Sequence, residues 1–152
     1  HALMKGALFL AVGCVVLRVG SAELADWKGL GRRMPVTMAA FVLGGLGLIG
    51  VPLTVGFISK WYLILAALEK GWWPVALLAL ISSLLAVMYV WRVVEVAYFQ
   101  KPEEDVEIKE APLQMQISMW VLTLATLYFG VFTDVTVGVA RQAAEWLMGG
   151  TP

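Results

Sequence analysis

Gly50-Val51-Pro52-Leu53-Thr54-Val55-Gly56-Phe57-Ile58-Ser59-Lys60-Trp61 is the stretch on which the reading of this chain turns. An almost uninterrupted apolar run, Met34 to Ile49, leads into it, and a second, Trp61 to Leu68, leads out. Between the runs stand two glycines, a proline and a lysine. Proline lacks an amide donor and clashes with the preceding turn, and glycine lowers the cost of non-helical dihedrals. The sequence therefore predicts a helix break from Gly50 to Gly56, made by Gly50, Pro52 and Gly56. In lipid an interrupted backbone is tolerated only where it is buried in protein or lines a wet cavity. A lysine just after such a break is a candidate ion or proton site.

The composition agrees with a bilayer setting. Of 152 residues, 61% are hydrophobic and 14% charged, where a soluble domain carries about 25% charged residues. The fold class expected is an all-α integral membrane protein. Net charge is zero, so there is no basic footprint for nucleic acid. Cys14 is the lone cysteine and sits in an apolar run. It cannot form an intrachain disulfide and reads as a small packed side chain. No signal-peptide pattern is present. The chain opens on His1, already inside an apolar segment, and is read as a piece of a longer protein.

Outward from the break, the chain divides into four crossings of one transmembrane domain, residues 1–152. They cover about 2–19, 34–70 (the broken one), 74–99 and 112–132, with an amphipathic tail at 134–148. Gly20 to Arg33 reads as a polar loop with Trp27 and Leu30 at the membrane interface. Gly44, Gly45, Gly47 and Gly50 read as close-packing positions. Trp72 and Trp73 fit an aromatic belt, and Pro74 a first helical turn. Ser82 and Ser83 are expected to bond back to their own helix. Arg92 and Glu95, three apart, are expected to pair and anchor. Gln100 to Glu110 reads as a solvated acidic loop. In the tail, Asp134 is expected to cap, with Val135, Val139, Trp146 and Leu147 towards the membrane and Arg141 and Glu145 outward.

Basic residues arbitrate whether the broken segment crosses once or twice. One crossing places Arg18, Lys28, Arg32, Arg33, Arg92, Lys101 and Lys109 on one side, against Lys70 and Arg141 on the other. Two crossings give a weaker bias. The single broken crossing is favoured, with both long loops in the cytoplasm.

Two lysines lie inside apolar runs. Lys60 is placed by this reading in the first turn of the second half-helix, where the helix dipole opposes an ammonium, while the carbonyls ending the first half-helix can solvate one. Such opposed influences make a lysine titratable. Lys5 lies roughly 20 Å along its helix from Arg18 at about 1.5 Å per residue, too deep to reach that interface. His1, one turn away, titrates near neutral pH and can feed it protons. Lys5 is expected to act on Lys60 by like-charge repulsion. Thr54 and Ser59 can orient water at the break or cap freed backbone groups. No metal cluster, phosphate loop or activated nucleophile is present, so no cofactor is expected and hydrolase or redox chemistry has no support.

These residues also fit a known pattern. His1-Ala2-Leu3-Met4-Lys5-Gly6-Ala7-Leu8-Phe9-Leu10 resembles the HAxxKAxLFL signature of the antiporter-like proton-translocating subunits. Arg32-Arg33-Met34-Pro35-Val36-Thr37, Gly50-Val51-Pro52 and Gly56-Phe57-Ile58-Ser59-Lys60-Trp61 resemble that family's RMP…GxPP…GFxSKW, and Tyr89-Val90-Trp91-Arg92 matches a further feature. The family includes subunits of respiratory complex I, membrane-bound hydrogenases and Mrp-type multisubunit sodium/proton antiporters. The SKW and WRVVEVAYF wording is most like the D-type component of the Mrp antiporters. The resemblance implies paired pseudo-symmetric half-channels in a longer chain, with this stretch at the C-terminal end. It implies Lys5 and His1 on a central hydrophilic axis and Lys60 on a discontinuous helix. It also implies partners: other subunits of a complex, the bilayer of a bacterial inner membrane, protons and sodium. Leu53 departs from the pattern, which often has a second proline there. The alternative within the family is an antiporter-like subunit of respiratory complex I or of a membrane-bound hydrogenase, and the competing reading from another class is a structural membrane scaffold whose charges only fix packing.

Overall fold

The computed structural model describes residues 1–102 and 108–149. Its elements are helices: α1 Ala2–Val19, a 3-10 turn Leu24–Trp27, α2 Leu30–Arg33, α3 Pro35–Ile49, α4 Val55–Glu69, α5 Trp73–Val94 prolonged by a π-helical turn Glu95–Phe99, α6 Leu113–Val131 and α7 Asp134–Leu147. Among the described residues there is no strand. By length and composition α1 and the α5 segment are long and apolar enough to cross a membrane. The pair α6–α7 passes the same test together, bent by 72°.

The core lies where α1 packs between α3 and α6. Small side chains bring these helices together. Ala7, Ala11 and Cys14 of α1 are fully buried, and Gly44 lies against Ala7 and Leu8. Without a hydrophobic drive between helices in lipid, such close approach supplies the dispersion contact that holds them. The expected packing role of the α3 glycines is what the structure displays.

One set of contacts fixes how the chain passes the break. Pro102 lies on Gly29, the Tyr98 ring on Gly31, Val90 on Gly45, and Ser83 meets Lys60. As the first partner rises in number through α2, α3 and α4, the second falls along α5. The direction never reverses, so α3 and α4 run in sequence antiparallel to α5, and the two long loops share one end of the molecule.

That loop end differs from its reading as a polar loop with interfacial Trp27 and Leu30 and a solvated acidic loop. Trp27 and Leu30 are buried, not interfacial, and the rings of Trp27 and Phe41 meet in a T-shaped contact with centroids 5.6 Å apart. Their apolar area is shielded by folding the loop back onto α3 and the π turn. Glu110 is docked rather than solvated. Its carboxylate accepts from the amides of Val36 (2.6 Å) and Thr37 (3.4 Å) and from the Thr37 hydroxyl (2.7 Å). Its carbonyl accepts from Arg18 Nε at 2.9 Å. Of the expected acidic loop, residues 103–107 lie outside the described residues.

At the other end, α7 is a helix as expected, but Thr133 holds the N-cap position and Asp134 lies inside the first turn. Its charge then acts on the helix dipole rather than on a capping amide. Arg141 and Glu145 pair at 3.0 Å on the exposed side. Arg92 and Glu95 pair at 2.9 Å, as their spacing suggested.

Candidate functional site

The site begins with the way α3 ends. Gly50 takes φ 89°, in the left-handed region. Its amide bonds the Gly47 and Leu46 carbonyls, and the Val51 amide bonds Leu46. This is a Schellman termination, in which glycine is favoured because it has no Cβ to clash. A helix leaves its last four carbonyls without intrahelical partners. Here Leu46 and Gly47 are used by the termination itself. Leu48 and Ile49 remain.

Lys60 takes both. Its Nζ donates to the Leu48 carbonyl at 3.0 Å and to the Ile49 carbonyl at 2.8 Å. The third donor goes to Ser83 Oγ on α5 at 2.8 Å. An ammonium has three N–H groups and no lone pair, so the set is complete. All three acceptors are neutral, and among the described residues no carboxylate pairs with Lys60. The negative end of the α3 dipole faces the ammonium.

Between the helices, Val51 to Thr54 forms a tight turn. The Thr54 amide bonds the Val51 carbonyl at 3.2 Å, and its hydroxyl donates to the same oxygen at 2.7 Å. Pro52 stands at the second position and Leu53 at the third with φ 75°, the pattern of a type II turn. A proline at Leu53 is impossible in this backbone, because its ring holds φ near −65°. The departure from the family pattern is therefore matched by a local backbone that a second proline cannot adopt.

Neighbouring helices pinch this turn. Gly130 of α6 lies so close that an added Cβ would run into the Leu53 carbonyl oxygen and the Thr54 backbone. A Cβ at Gly56 would run into the Gly47 carbonyl oxygen. Met4 of α1, buried, places its sulfur beside both Gly47 and Gly56.

Several expectations change here. The break spans Gly50 to Thr54, and Gly56 already belongs to α4, where it serves close packing. Because α4 starts at Val55, Lys60 falls in its second turn rather than its first. The opposing dipole of α4 is then weaker, since that effect fades within a turn. Ser59 donates to the Gly56 carbonyl at 3.1 Å, so it and Thr54 both bond backbone. Ser83 does the opposite of what was expected and reaches across to Lys60. Sequence spacing could not find it, because α5 carries two adjacent serines and nothing local says which faces the break. Lys5 and His1 are exposed. Met4, not Lys5, is the α1 residue turned to the break, and Lys5 takes no part in the bonds around Lys60.

Comparison with known proteins follows the same residues. The sequence model of one family, described as NADH:quinone oxidoreductase/Mrp antiporter, TM, matches residues 1–86. The chain is 36% identical over 160 residues to NADH-quinone oxidoreductase subunit N of Desulforudis audaxviator (strain MP104C), covering 96% of this chain and 32% of that protein. It is 29% identical over 157 residues to F(420)H(2) dehydrogenase subunit N of Methanosarcina mazei, covering 97% and 32%. The fold is similar to a chain of the Mrp complex from Dietzia sp. DQ12-45-1b, with TM-score 0.86 and 23% identity over 95% of this chain and 35% of that one. It is also similar to a chain of the membrane-bound sulfane sulfur reductase, an archaeal respiratory membrane complex, with TM-score 0.78 and 33% identity over 86% and 22%. The chain spans about a third of the length of the curated relatives it matches.

Proposed function

We propose a proton-relay function for this chain, which belongs to the NADH:quinone oxidoreductase/Mrp antiporter transmembrane family. It is an all-helical, antiporter-like membrane domain whose relatives are subunits of multisubunit complexes. Lys60 is the proton-carrying group. It alternates between ammonium and amine within a single discontinuous crossing formed by α3 and α4, and His1 and Lys5 supply it from a hydrated axis shared with the rest of the protein. The observation that carries this reading is the bonding of Lys60. Its charge is met by two orphan helix carbonyls and one hydroxyl (Leu48, Ile49, Ser83), with no counterion among the described residues to lock it in place. A charged side chain at membrane depth marks function more often than packing.

Two finer readings divide on partners. The SKW wording supports the D-type component of an Mrp-type sodium/proton antiporter. The names of the matching curated proteins weigh towards a subunit N of a quinone-reducing complex, and that is the placement we favour. In that setting proton movement is driven by electron transfer. In the other it is driven by exchange with sodium.

The test is Lys60→Ala in the intact complex, reconstituted into vesicles. Proton movement is followed under electron-donor drive and, separately, under an imposed sodium gradient. The drive that moves protons in the unaltered complex separates the two placements. Lys60→Ala is expected to cut that movement at least ten-fold with assembly intact, because water can take the freed carbonyls. Lys60→Arg should fail as well, since arginine keeps its proton. Unaltered proton movement by assembled Lys60→Ala complex would overturn the relay and leave the scaffold reading.

A further inference from the structure

The three partners of Lys60 are not chemically equivalent. Leu48 and Ile49 offer carbonyl oxygens, which can only accept. Ser83 offers a hydroxyl, which can accept and donate. As an ammonium, Lys60 needs three acceptors. As an amine it has two N–H donors and one lone pair. The two carbonyls can keep the two donors in both states. The lone pair needs a donor, and the Ser83 O–H is the only group in the set able to supply one. From the bonds seen here, Nζ to Oγ at 2.8 Å, the switch requires only that the proton on this axis change sides.

The setting of Ser83 fits this use. Ala76, Ala86 and Val90 of the same α5 face are buried against the neighbouring helices, while Ser83 itself is half-buried. Ser82 beside it is exposed, and Lys60 of α4 reaches this face with its Nζ on Ser83. Among the described residues no other charged side chain competes for the position. α3 and α6 contain no Asp, Glu, Lys, Arg or His. α5 brings Arg92, held by Glu95, and α4 brings Glu69 near its far end. On α1, Lys5 and His1 are exposed.

We propose that Ser83 is the polarity-switching relay of this site, passing protons between Lys60 and water in the seam between α4 and α5. This rests on the reading of Lys60 as a proton-carrying group. In the release step a Lys60 Nζ–H bond breaks as that proton bonds to Ser83 Oγ. The proton already on Oγ leaves to a water oxygen, giving hydronium. Lys60 ends as the neutral amine and Ser83 as a hydroxyl whose new O–H lies on the Nζ–Oγ axis and so already donates to the Nζ lone pair. The direction of travel is thereby assigned to the α5 side of the break, away from the α1–α6 core.

The experiment measures the rate of proton movement against pH in vesicles holding the assembled complex. Ser83→Ala, Ser83→Cys and Ser83→Thr are compared with the unaltered protein, and Lys60→Ala is run alongside. Ser83→Ala and the near-isosteric Ser83→Cys should lower the plateau rate at least ten-fold, with assembly unchanged. Ser83→Thr, which keeps the hydroxyl, should stay within about three-fold. If Ser83 were only an acceptor holding the ammonium still, its loss would slide the pH profile and leave the plateau. A plateau within two-fold of the unaltered protein in Ser83→Ala or Ser83→Cys, with Lys60→Ala inactive, overturns the relay but not the parent reading. An active Lys60→Ala overturns both.

Discussion

At the N-terminus of α3 a carboxylate from residue 110 bonds the free amides of Val36 and Thr37; at its C-terminus an ammonium from residue 60 bonds the free carbonyls of Leu48 and Ile49. Each charge has the sign the helix dipole favours at that end. The surroundings differ. Glu110 is tied on both sides, since Arg18 holds its carbonyl while Thr37 donates its hydroxyl to the carboxylate. It belongs to a loop end where Trp27, Leu30 and Met34 are buried. Lys60 has only neutral acceptors, one of them able to reverse its role. The same electrostatic device is therefore a clamp at one end and, on the function proposed above, a movable proton store at the other. The difference lies in what stands behind the charge rather than in the charge itself.

The harshest way to break that contrast is to disturb the backbone on which the movable end rests. Gly130→Ala puts a methyl group against the Leu53 carbonyl and the Thr54 backbone, neither of which can yield without moving the turn. Overpacking of this kind costs about 3 kcal/mol at the upper end of its range. The assembled complex should melt at a lower temperature or fail to assemble. Gly138→Ala in α7, where nothing lies within 4 Å of the added Cβ, is the control. It should be neutral or slightly stabilising, as alanine is the better helix former. Equal melting of the two variants would mean that α6 does not hold the break.

Much of the break was legible because glycine and proline announce backbone geometry locally. Gly50 and Pro52 act within their own turn, and a lysine inside an apolar run is conspicuous in any window. Ser83 and Glu110 were not legible for a shared reason. Their roles are set by groups far along the chain, Lys60 for one and Val36 with Thr37 for the other. A serine in a helix ordinarily bonds its own turn, as Ser118 does here, and an acidic loop is ordinarily solvated. Trp27 was misplaced at the membrane interface for the same reason, because the Phe41 ring that meets it in a T-shaped contact lies on α3.

A direct comparison of the two ends pairs Glu110→Ala with Lys60→Met. Removing a charged cap from a helix N-terminus costs up to about 2 kcal/mol. Glu110→Ala should therefore lower the melting temperature of the complex, while the activity per assembled complex stays within about two-fold. Lys60→Met keeps the side-chain bulk and should do the reverse, losing proton movement with a smaller change in melting. If Glu110→Ala melts like the unaltered complex, the carboxylate is not a clamp. If it also abolishes proton movement, the two ends are coupled through α3 and the proposed division of labour fails.

The finest probe is Leu53, the one non-glycine residue with positive φ among the described residues. A left-handed conformation costs an ordinary residue roughly 1–2 kcal/mol, and glycine escapes that cost but loses about 0.5–1 kcal/mol to its greater freedom when unfolded. Leu53 is 67% exposed, so little burial is lost on truncation. Leu53→Gly should then stabilise the complex by only about 0.5 kcal/mol on those two magnitudes, a small rise in melting temperature with proton movement unchanged. Leu53→Pro has no such route, because its ring forbids φ near +75°. It must either rebuild the turn or lose the Schellman termination that presents Leu48 and Ile49 to Lys60. Destabilisation by Leu53→Gly would show that the leucine side chain is packed by a part of the protein beyond this chain. A tolerated Leu53→Pro with full proton movement would show that the Lys60 site does not depend on the geometry of this turn, and would leave the α3 carbonyls as its only fixed element.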